Sequence, residues 1–200
     1  MTTSRRPRSD GERTRALILD ATVTLIAQVG LAGTTQRRVA AAAGVSLASV
    51  TYHFATLADL IDAAIQHASQ RWIQAFEERR DLVLRGELDL VESCLRASQT
   101  PHGEPEPHAV VVFTLLISAV QRPELRARVT ELIERLRDVF APWIARTDFT
   151  LGGVATFLGL GLLNFAASAH DDVKTQMASM LEHFGVTETI AAHRTTNPST

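Results

Sequence analysis

The sequence predicts an all-α protein, and three observations support this fold class. Apolar residues recur every three or four positions along most of the 200-residue chain, as they do on the buried face of an amphipathic helix. Glycine and proline stand between these periodic segments, where they end one helix and begin the next. Strict alternation of apolar and polar residues, the signature of a half-buried strand, does not persist long enough to indicate a sheet. We expect about nine helices.

The N-terminal part of the chain carries an excess of positive charge. Residues 1–56 contain seven arginines and three acidic residues, a net charge of +4, whereas the whole chain has a net charge of -2. A positively charged N-terminal segment on an otherwise negatively charged chain is typical of a protein whose first segment binds a polyanion. Behind a polar, arginine-rich arm, the apolar spacing predicts a first helix over 16–29 that ends at Gly30.

Two short helices joined by a tight turn follow the first helix. Thr35 is the candidate N-cap of a helix over 36–43, and Gly44 is its stop. Ser46 is the candidate N-cap of a third helix that reaches about Phe54. Two helices separated by three or four residues that include a glycine have the spacing of a helix-turn-helix.

The rest of the chain predicts six more helices. Thr56 is the candidate N-cap of a fourth helix of roughly 25 residues, whose apolar positions repeat by three and four. Prolines and a glycine interrupt the chain at 100–108, where they forbid a regular element. The remaining predicted helices span 87–98, 110–120, a segment that begins at Pro123, 151–169 and 171–184.

These elements predict three parts of the chain: a head over 1–56, a helical body over 57–186 and a flexible tail over 187–200. Cys94 is the single cysteine, so the sequence predicts no internal disulfide. No long apolar stretch directly follows the N-terminal arginines, as a secretory signal would require. We therefore expect a cytoplasmic protein.

Residues 151–169 raise the alternative of a membrane protein, because they contain no charged side chain and reach the length of a membrane span. Their four glycines lower the mean apolarity, and acidic rather than basic residues flank them. Small residues also let two helices approach closely. The segment therefore favours a helix buried between protein surfaces, with no membrane partner.

An enzyme is the alternative from another class. The chain has seven histidines, but the predicted helices contain no Glu-x-x-His or His-x-x-x-His pair, which would place two metal ligands on one helix face. His102, Glu104, Glu106 and His108 cluster in the proline-rich loop, where mixed polar residues are usually solvated. The sequence therefore predicts no enzyme, no metal site and no cofactor.

The most specific pattern in the chain is the segment GTTQRRVAAAAGVSLASVTYHF, from Gly33 to Phe54. Its valines are spaced to hold the two short helices against the first, and its alanines are small enough to let the helices cross closely. With Thr56, Leu57 and Leu60 after it, the segment resembles the N-terminal DNA-binding module of TetR-type regulators. The resemblance covers about fifty residues well, and the body only in its all-helical plan.

Short and polar side chains on the third helix suit insertion into the major groove of DNA, where they meet base edges. The start of the second helix has free N–H groups and two arginines, which are typical of a phosphate-binding site. The arginine-rich arm could bind in an adjacent minor groove. The predicted DNA contacts are Thr35, Arg37, Arg38, Ser46, Leu47, Ala48, Ser49, Thr51, Tyr52, His53 and Thr56, with Arg5, Arg6 and Arg8 in the arm.

The chain departs from the family pattern at two positions. Where the family usually places a tyrosine directly after the aliphatic residue of the third helix, this chain has Thr51, and the ring follows at Tyr52. Where the family often has a lysine near the start of the fourth helix, this chain has Leu57. The phosphate contact ascribed to the family's tyrosine therefore does not carry over to Thr51.

The resemblance also implies a body that encloses a small-molecule pocket and forms a homodimer through the last two helices. Dimerisation would place two recognition helices about 34 Å apart, which predicts a pseudo-palindromic operator. The implied function is a ligand-responsive, sequence-specific transcriptional regulator, a repressor that an apolar or amphipathic small-molecule effector releases from the operator. The candidate ligand-binding residues are Trp72, Phe76, Phe113, Trp143, Asn164 and Phe165.

Overall fold

The computed structural model describes residues 7–100, 102, 104–141, 151–166 and 170–196. These residues form ten α-helices and one 3-10 helix and contain no β-strand, which confirms the all-α prediction. The elements are α1 (Pro7–Val29), α2 (Gln36–Ala43), α3 (Leu47–His53), α4 (Leu57–Leu84), α5 (Leu90–Arg96), α6 (Pro107–Gln121), the 3-10 helix η1 (Pro123–Leu125), α7 (Arg126–Phe140), α8 (Leu151–Ala166), α9 (His170–His183) and α10 (Val186–Thr196).

The first helix extends further toward the N-terminus than its apolar spacing predicts. It begins at Pro7 rather than at residue 16, so part of the expected flexible arm is helical. Proline fits the first helical turn because its φ is already helical and its missing N–H would have no partner there. The added turns carry exposed polar side chains, including Arg13, and so leave no apolar pattern from which to predict them.

The turn between α2 and α3 has the caps that the sequence predicts. The hydroxyl of Thr35 accepts a hydrogen bond from the backbone N–H of Arg38, and that of Ser46 accepts one from Ser49 at 3.0 Å. Gly44 ends α2 with a φ of 65°, in the left-handed region that favours glycine. These local bonds fix where each helix begins and ends.

The head is packed around a small apolar core. Val39 of α2 and Val50 of α3 are fully buried, and both helices contact α1, where Ile18 and Ile26 are also buried. Phe54, directly after α3, is buried as well, and the guanidinium carbon of Arg15 lies 5.3 Å from its ring centroid. Three helices thus form a compact unit that holds α3 at its surface.

The long helix α4 connects the head to the rest of the body. A capping box starts it: Thr56 and Asp59 exchange hydrogen bonds between side chain and backbone. At 1.5 Å per residue its 28 residues span about 42 Å. It contacts α1 in the head and α5, α6, α7 and α10 in the body. Buried residues along its inner face, from Leu60 to Val83, join both parts into one core.

The sixth helix begins inside the segment predicted as a loop. Glu106 caps it by accepting a hydrogen bond from the N–H of Ala109 at 2.9 Å, and Pro107 occupies its first turn. Since proline is tolerated at the first turn of a helix, the prolines that suggested a loop over 100–108 also permit this start. The helix α5 is shorter than its predicted range of 87–98.

The C-terminal segment forms a helix, α10, in place of the flexible tail expected over 187–200. Val186 and Ile190 are buried, and the guanidinium of Arg194 donates hydrogen bonds to the carbonyl oxygens of Val83 and Leu84, at 2.5 Å and 3.2 Å. The last carbonyls of a helix lack partners within it, so α10 completes the end of α4. Residues 197–200 lie outside the described part.

Among the described residues, no helix combines the length and apolarity that crossing a membrane requires. The charge-free helix α8 packs against α7 and α9 instead. Gly161 of α8 has a structural reason for its small size, because a Cβ there would lie 3.0 Å from Cζ of Phe113. Close packing therefore accounts for one of the glycines that lower the apolarity of this segment.

Candidate nucleic-acid interface

Helix α3 has one buried side and one exposed side. Val50 faces the head core and is fully buried, whereas the side chain of Tyr52 is 84% exposed. The seven residues of α3 place three or four side chains on the outer surface, enough for one groove of DNA. Of the predicted contact residues, Ser46, Leu47, Ala48, Thr51 and Tyr52 are exposed, and Ser49 and His53 are half-buried.

The hydroxyl groups at this surface are partly used within the helix. Thr51 donates its proton toward the carbonyl oxygens of Leu47 and Ala48, at 3.2 Å and 3.1 Å, so its oxygen is left to accept. Ser46 accepts from the N–H of Ser49, and its own proton remains able to donate. The two hydroxyls therefore suit different partners: an exocyclic amine on a base for Thr51, and an acceptor such as a phosphate oxygen for Ser46.

The ring of Tyr52 projects from the end of α3. Its nearest described aromatic neighbour is His53, whose ring meets it edge-to-face with a centroid distance of 5.2 Å. This contact supports the tyrosine from one side while its hydroxyl remains in solvent. The displaced tyrosine that the sequence shows thus remains on the exposed side of the head.

The start of α2 presents two exposed arginines beside α3. Arg37 and Arg38 are both exposed, and Arg38 also donates a hydrogen bond from Nη1 to the carbonyl oxygen of Gly33 at 2.6 Å. That bond orients Arg38 across the N-terminal end of α2, where the helix dipole favours an anion. Arg37 is exposed on the same turn, and within the described part of the chain its guanidinium makes no hydrogen bond.

Gln36 is a positioning residue that sequence reasoning missed. Its side-chain amide donates a hydrogen bond to the carbonyl oxygen of Phe54 at 2.9 Å, across 18 residues of sequence. The bond joins the start of α2 to the end of α3 and so helps to fix the angle between these two helices. No local pattern indicates it, because the two groups meet only once the turn is formed.

Thr56 has a structural role that competes with its predicted phosphate contact. Its hydroxyl donates to Oδ2 of Asp59 at 2.8 Å, and its backbone N–H donates to the same oxygen at 3.0 Å. Both donors of Thr56 therefore serve the capping box of α4. The adjacent carboxylate would also repel a phosphate.

Part of the predicted basic arm lies outside the described residues. Arg5 and Arg6 precede the described part, and Arg8 lies in α1, but its side chain is not among those described. Arg13 and Arg15 are exposed on α1, and Arg15 also contacts the ring of Phe54. The described basic side chains near α3 therefore lie on helices rather than on a flexible arm.

The body contains a connected aromatic cluster. Trp72 of α4 lies at its centre, 5.2 Å from Phe76 and 6.2 Å from Phe113 and from Phe157, measured between ring centroids. The indole N–H donates to the carbonyl oxygen of Ala97 at 2.9 Å. The contacts with Phe76 and Phe113 are edge-to-face, an arrangement that stabilises a core beyond the area that it buries.

Four of the six predicted ligand-binding residues belong to this cluster: Trp72, Phe76, Phe113 and Phe165, the last lying 5.3 Å from Phe113. Asn164 precedes Phe165 on α8 and is also buried. Trp143 lies outside the described residues. Phe140 and Phe157 also join the cluster, at 5.1 Å from each other, although sequence reasoning did not select them.

The second half of α1, the helix-turn-helix and the start of α4 match a known family. Residues 18–64 match the sequence profile described as "Bacterial regulatory proteins, tetR family". A curated relative, the HTH-type transcriptional regulator BetI of Paraburkholderia xenovorans (strain LB400), is 39% identical over 66 residues. That alignment covers 33% of this chain and 34% of the relative, so the match spans about a third of the curated protein.

Solved structures resemble the chain over most of its length. A member of the TetR family from Streptomyces coelicolor A3 is 30% identical, with 84% of this chain and 97% of that chain covered and a TM-score of 0.64. The multidrug binding protein EbrR, complexed with ethidium, is also 30% identical, with 84% and 97% covered and a TM-score of 0.61. Both the head and the helical body are therefore shared with these proteins.

Proposed function

The chain belongs to the TetR family of transcriptional regulators, and we propose that it acts as a repressor that a small molecule releases from operator DNA. Family membership makes the protein a DNA-binding transcriptional regulator rather than an enzyme. The repressor mode, the operator contacts and the effector belong to the proposal. The observation that carries it is the exposed side of α3, which is held on a rigid three-helix head and flanked by the arginines of α2.

In this proposal α3 enters the major groove and α2 lies against the backbone. Ala48 and Leu47 are exposed apolar groups that suit a thymine methyl, and Tyr52 reaches outward at the far end of the helix. Arg37 and Arg38 neutralise phosphates and set the position of the head on the duplex. The contacts of α3 then distinguish sequences, because phosphates are the same at every base pair.

The phosphate contact is tested by Arg37→Ala. We expect a loss of about tenfold in duplex affinity, corresponding to about 1.4 kcal/mol. The slope of log affinity against log salt concentration should also become shallower by about 1, because one fewer phosphate is neutralised. The measurement is fluorescence anisotropy of a labelled duplex, enriched from a random pool by the wild-type protein, over a series of salt concentrations.

Arg126→Ala is the matched control for this measurement. It removes the same charge from an exposed position on α7 and should leave the salt slope unchanged. If Arg37→Ala and Arg126→Ala behave alike, Arg37 does not contact a phosphate, and the placement of α2 is wrong.

The dimer in this proposal forms through α8 and α9. These two helices pack against each other, and α8 exposes Leu162 and Leu163 at 37% and 51% in the single chain. Covering apolar side chains of this size across a two-fold axis would stabilise a pair of subunits. Sedimentation equilibrium should give twice the 21.8 kDa mass of one chain, and a monomer at micromolar concentration would contradict the dimer.

The effector in this proposal is an apolar or amphipathic molecule that binds among the body helices. The aromatic cluster around Trp72 is closed in this structure, so an effector would have to part α4, α6 and α8 to reach its rings. EbrR, a similar protein, has been solved with ethidium, malachite green and proflavin. Helix α4 carries Trp72 in the body and Thr56 at the head, so a shift of α4 would move α3. An effector acts only if it prefers one arrangement of the heads. Unchanged duplex affinity with every compound that binds the protein would contradict this mechanism.

A further inference from the structure

Three side chains that can bind a metal meet where the head joins the body. Asp20 lies on α1, His67 on α4 and His108 in the first turn of α6. Each offers one ligand atom, and the three atoms lie within 4.8 Å of one another. We propose that Asp20, His67 and His108 form a binding site for a divalent transition-metal ion such as Zn²⁺.

The distances suit a metal centre after small side-chain movements. Nε2 of His67 lies 2.8 Å from Oδ1 of Asp20, and the rings of His67 and His108 have a centroid distance of 6.1 Å. Metal–ligand distances of about 2.0–2.2 Å in a tetrahedral site place the ligand atoms about 3.3–3.6 Å apart. The two half-buried imidazoles are held by their helices, while the carboxylate of Asp20, 61% exposed, is free to adjust.

Glu106 supports His108 in the way that metal-binding histidines are usually supported. Its Oε1 lies 2.5 Å from Nδ1 of His108, and its Oε2 accepts the N–H of Ala109, so the carboxylate is fixed at the start of α6. A carboxylate on Nδ1 orients the ring and leaves Nε2 to bind an ion. This second carboxylate lies outside the three-residue cluster and supports one of its ligands.

The donor set selects the class of ion. Two imidazole nitrogens and one carboxylate oxygen suit Zn²⁺ and its transition-metal neighbours, whereas Mg²⁺ and Ca²⁺ prefer oxygen ligands alone. Three protein ligands also leave a fourth position for water or an anion.

The position of the site gives the ion a structural consequence. Asp20 belongs to α1, which contacts α2 and α3 within the head and also packs against α4 and α6, the helices that carry His67 and His108. An ion bound to all three would add a link between the head and the body just past the middle of α1. This role is additional to the proposed function and does not depend on it.

The proposal is tested by calorimetric titration of tag-free, metal-free, full-length protein with ZnCl₂. The buffer pH is set above the usual histidine pKa of about 6.5, so that the imidazoles are free to bind the ion. We expect one ion per chain. His67→Ala and His108→Ala should each weaken binding at least about tenfold, and Glu106→Gln, which keeps an acceptor for the cap of α6, by about 10–100-fold.

His102→Ala is the matched control, because His102 is exposed in the neighbouring loop and lies outside the cluster. It should bind Zn²⁺ like the wild type. Helical circular dichroism of every variant establishes that it is folded. No binding by the wild type would overturn the proposal, as would wild-type affinity in folded His67→Ala and His108→Ala, or an equal loss in His102→Ala. A missing metal site would leave the DNA measurements unaffected, so the two proposals fail separately.

Discussion

Replacing Ala48 by glutamate is expected to lower operator affinity at least about 100-fold while the protein remains folded. In the proposed complex, Ala48 lies in the major groove between two rows of phosphates, and like charges brought together at an interface cost several kcal/mol. A 100-fold loss corresponds to about 2.7 kcal/mol, within that range. The substitution should not harm the head, because Ala48 is exposed and glutamate is a good helix former near a helix start.

The matched control for this prediction is Ala127→Glu. It adds the same charge at an exposed alanine of α7, so it reproduces the change in net charge without placing a carboxylate on α3. Anisotropy with the enriched duplex should give near wild-type affinity for Ala127→Glu, and thermal unfolding should show both variants folded. Equal affinity for the two variants would mean that α3 does not enter the groove.

Trp72→Ala is expected to lower the free energy of unfolding by about 3–5 kcal/mol. The indole is 2% exposed, contacts the rings of Phe76, Phe113 and Phe157, and donates to the carbonyl oxygen of Ala97. Truncation removes a large buried side chain from between α4, α6 and α8 and leaves a cavity that these helices fill only partly. The measurement is guanidinium unfolding followed by circular dichroism, with the slopes compared to check that both proteins unfold in one step.

Trp72→Phe separates the packing of the ring from its hydrogen bond. Phenylalanine keeps most of the ring but removes the N–H, so the buried carbonyl of Ala97 loses its donor at a cost of about 1–3 kcal/mol. We therefore expect Trp72→Phe to lie between the wild type and Trp72→Ala. A loss below about 1 kcal/mol for Trp72→Ala would contradict the placement of Trp72 in a tightly packed core.

The helix-turn-helix could be predicted because its signals are local. Thr35, Gly44 and Ser46 each act within three or four residues of their own position, through a side-chain cap or a left-handed backbone, and the structure shows all three in those roles. The core valines of the head likewise follow from helical spacing alone. Function could be inferred from this segment because the same short stretch of sequence contains both the turn between α2 and α3 and the arginines of α2.

The ends of the chain could not be predicted in the same way. The first turns of α1 carry polar side chains without an apolar face, and α10 depends on contacts made far away in sequence. Arg194 reaches the end of α4, 110 residues or more from its own position. The spacing of apolar residues does not indicate contacts between residues far apart in sequence, so the sequence predicts both segments to be flexible.

The proposed metal ligands also escaped prediction from the sequence for a physical reason. A search for histidine pairs on one helix requires ligands three or four residues apart, whereas Asp20, His67 and His108 come from three helices. The sequence drew attention to Glu106 and His108 only as members of a solvated loop. The start of α6 at Pro107 instead fixes them and brings His108 to α1 and α4.

Methylation interference on an enriched duplex with guanine in each half-site tests the central claim, that α3 reads the major groove, most directly. Dimethyl sulfate methylates N7 of guanine, which faces the major groove, and N3 of adenine, which faces the minor groove. We predict that methylated N7 blocks binding in two half-sites whose centres are about 10 base pairs apart. Interference confined to adenine N3, or no interference at either position, would contradict the account.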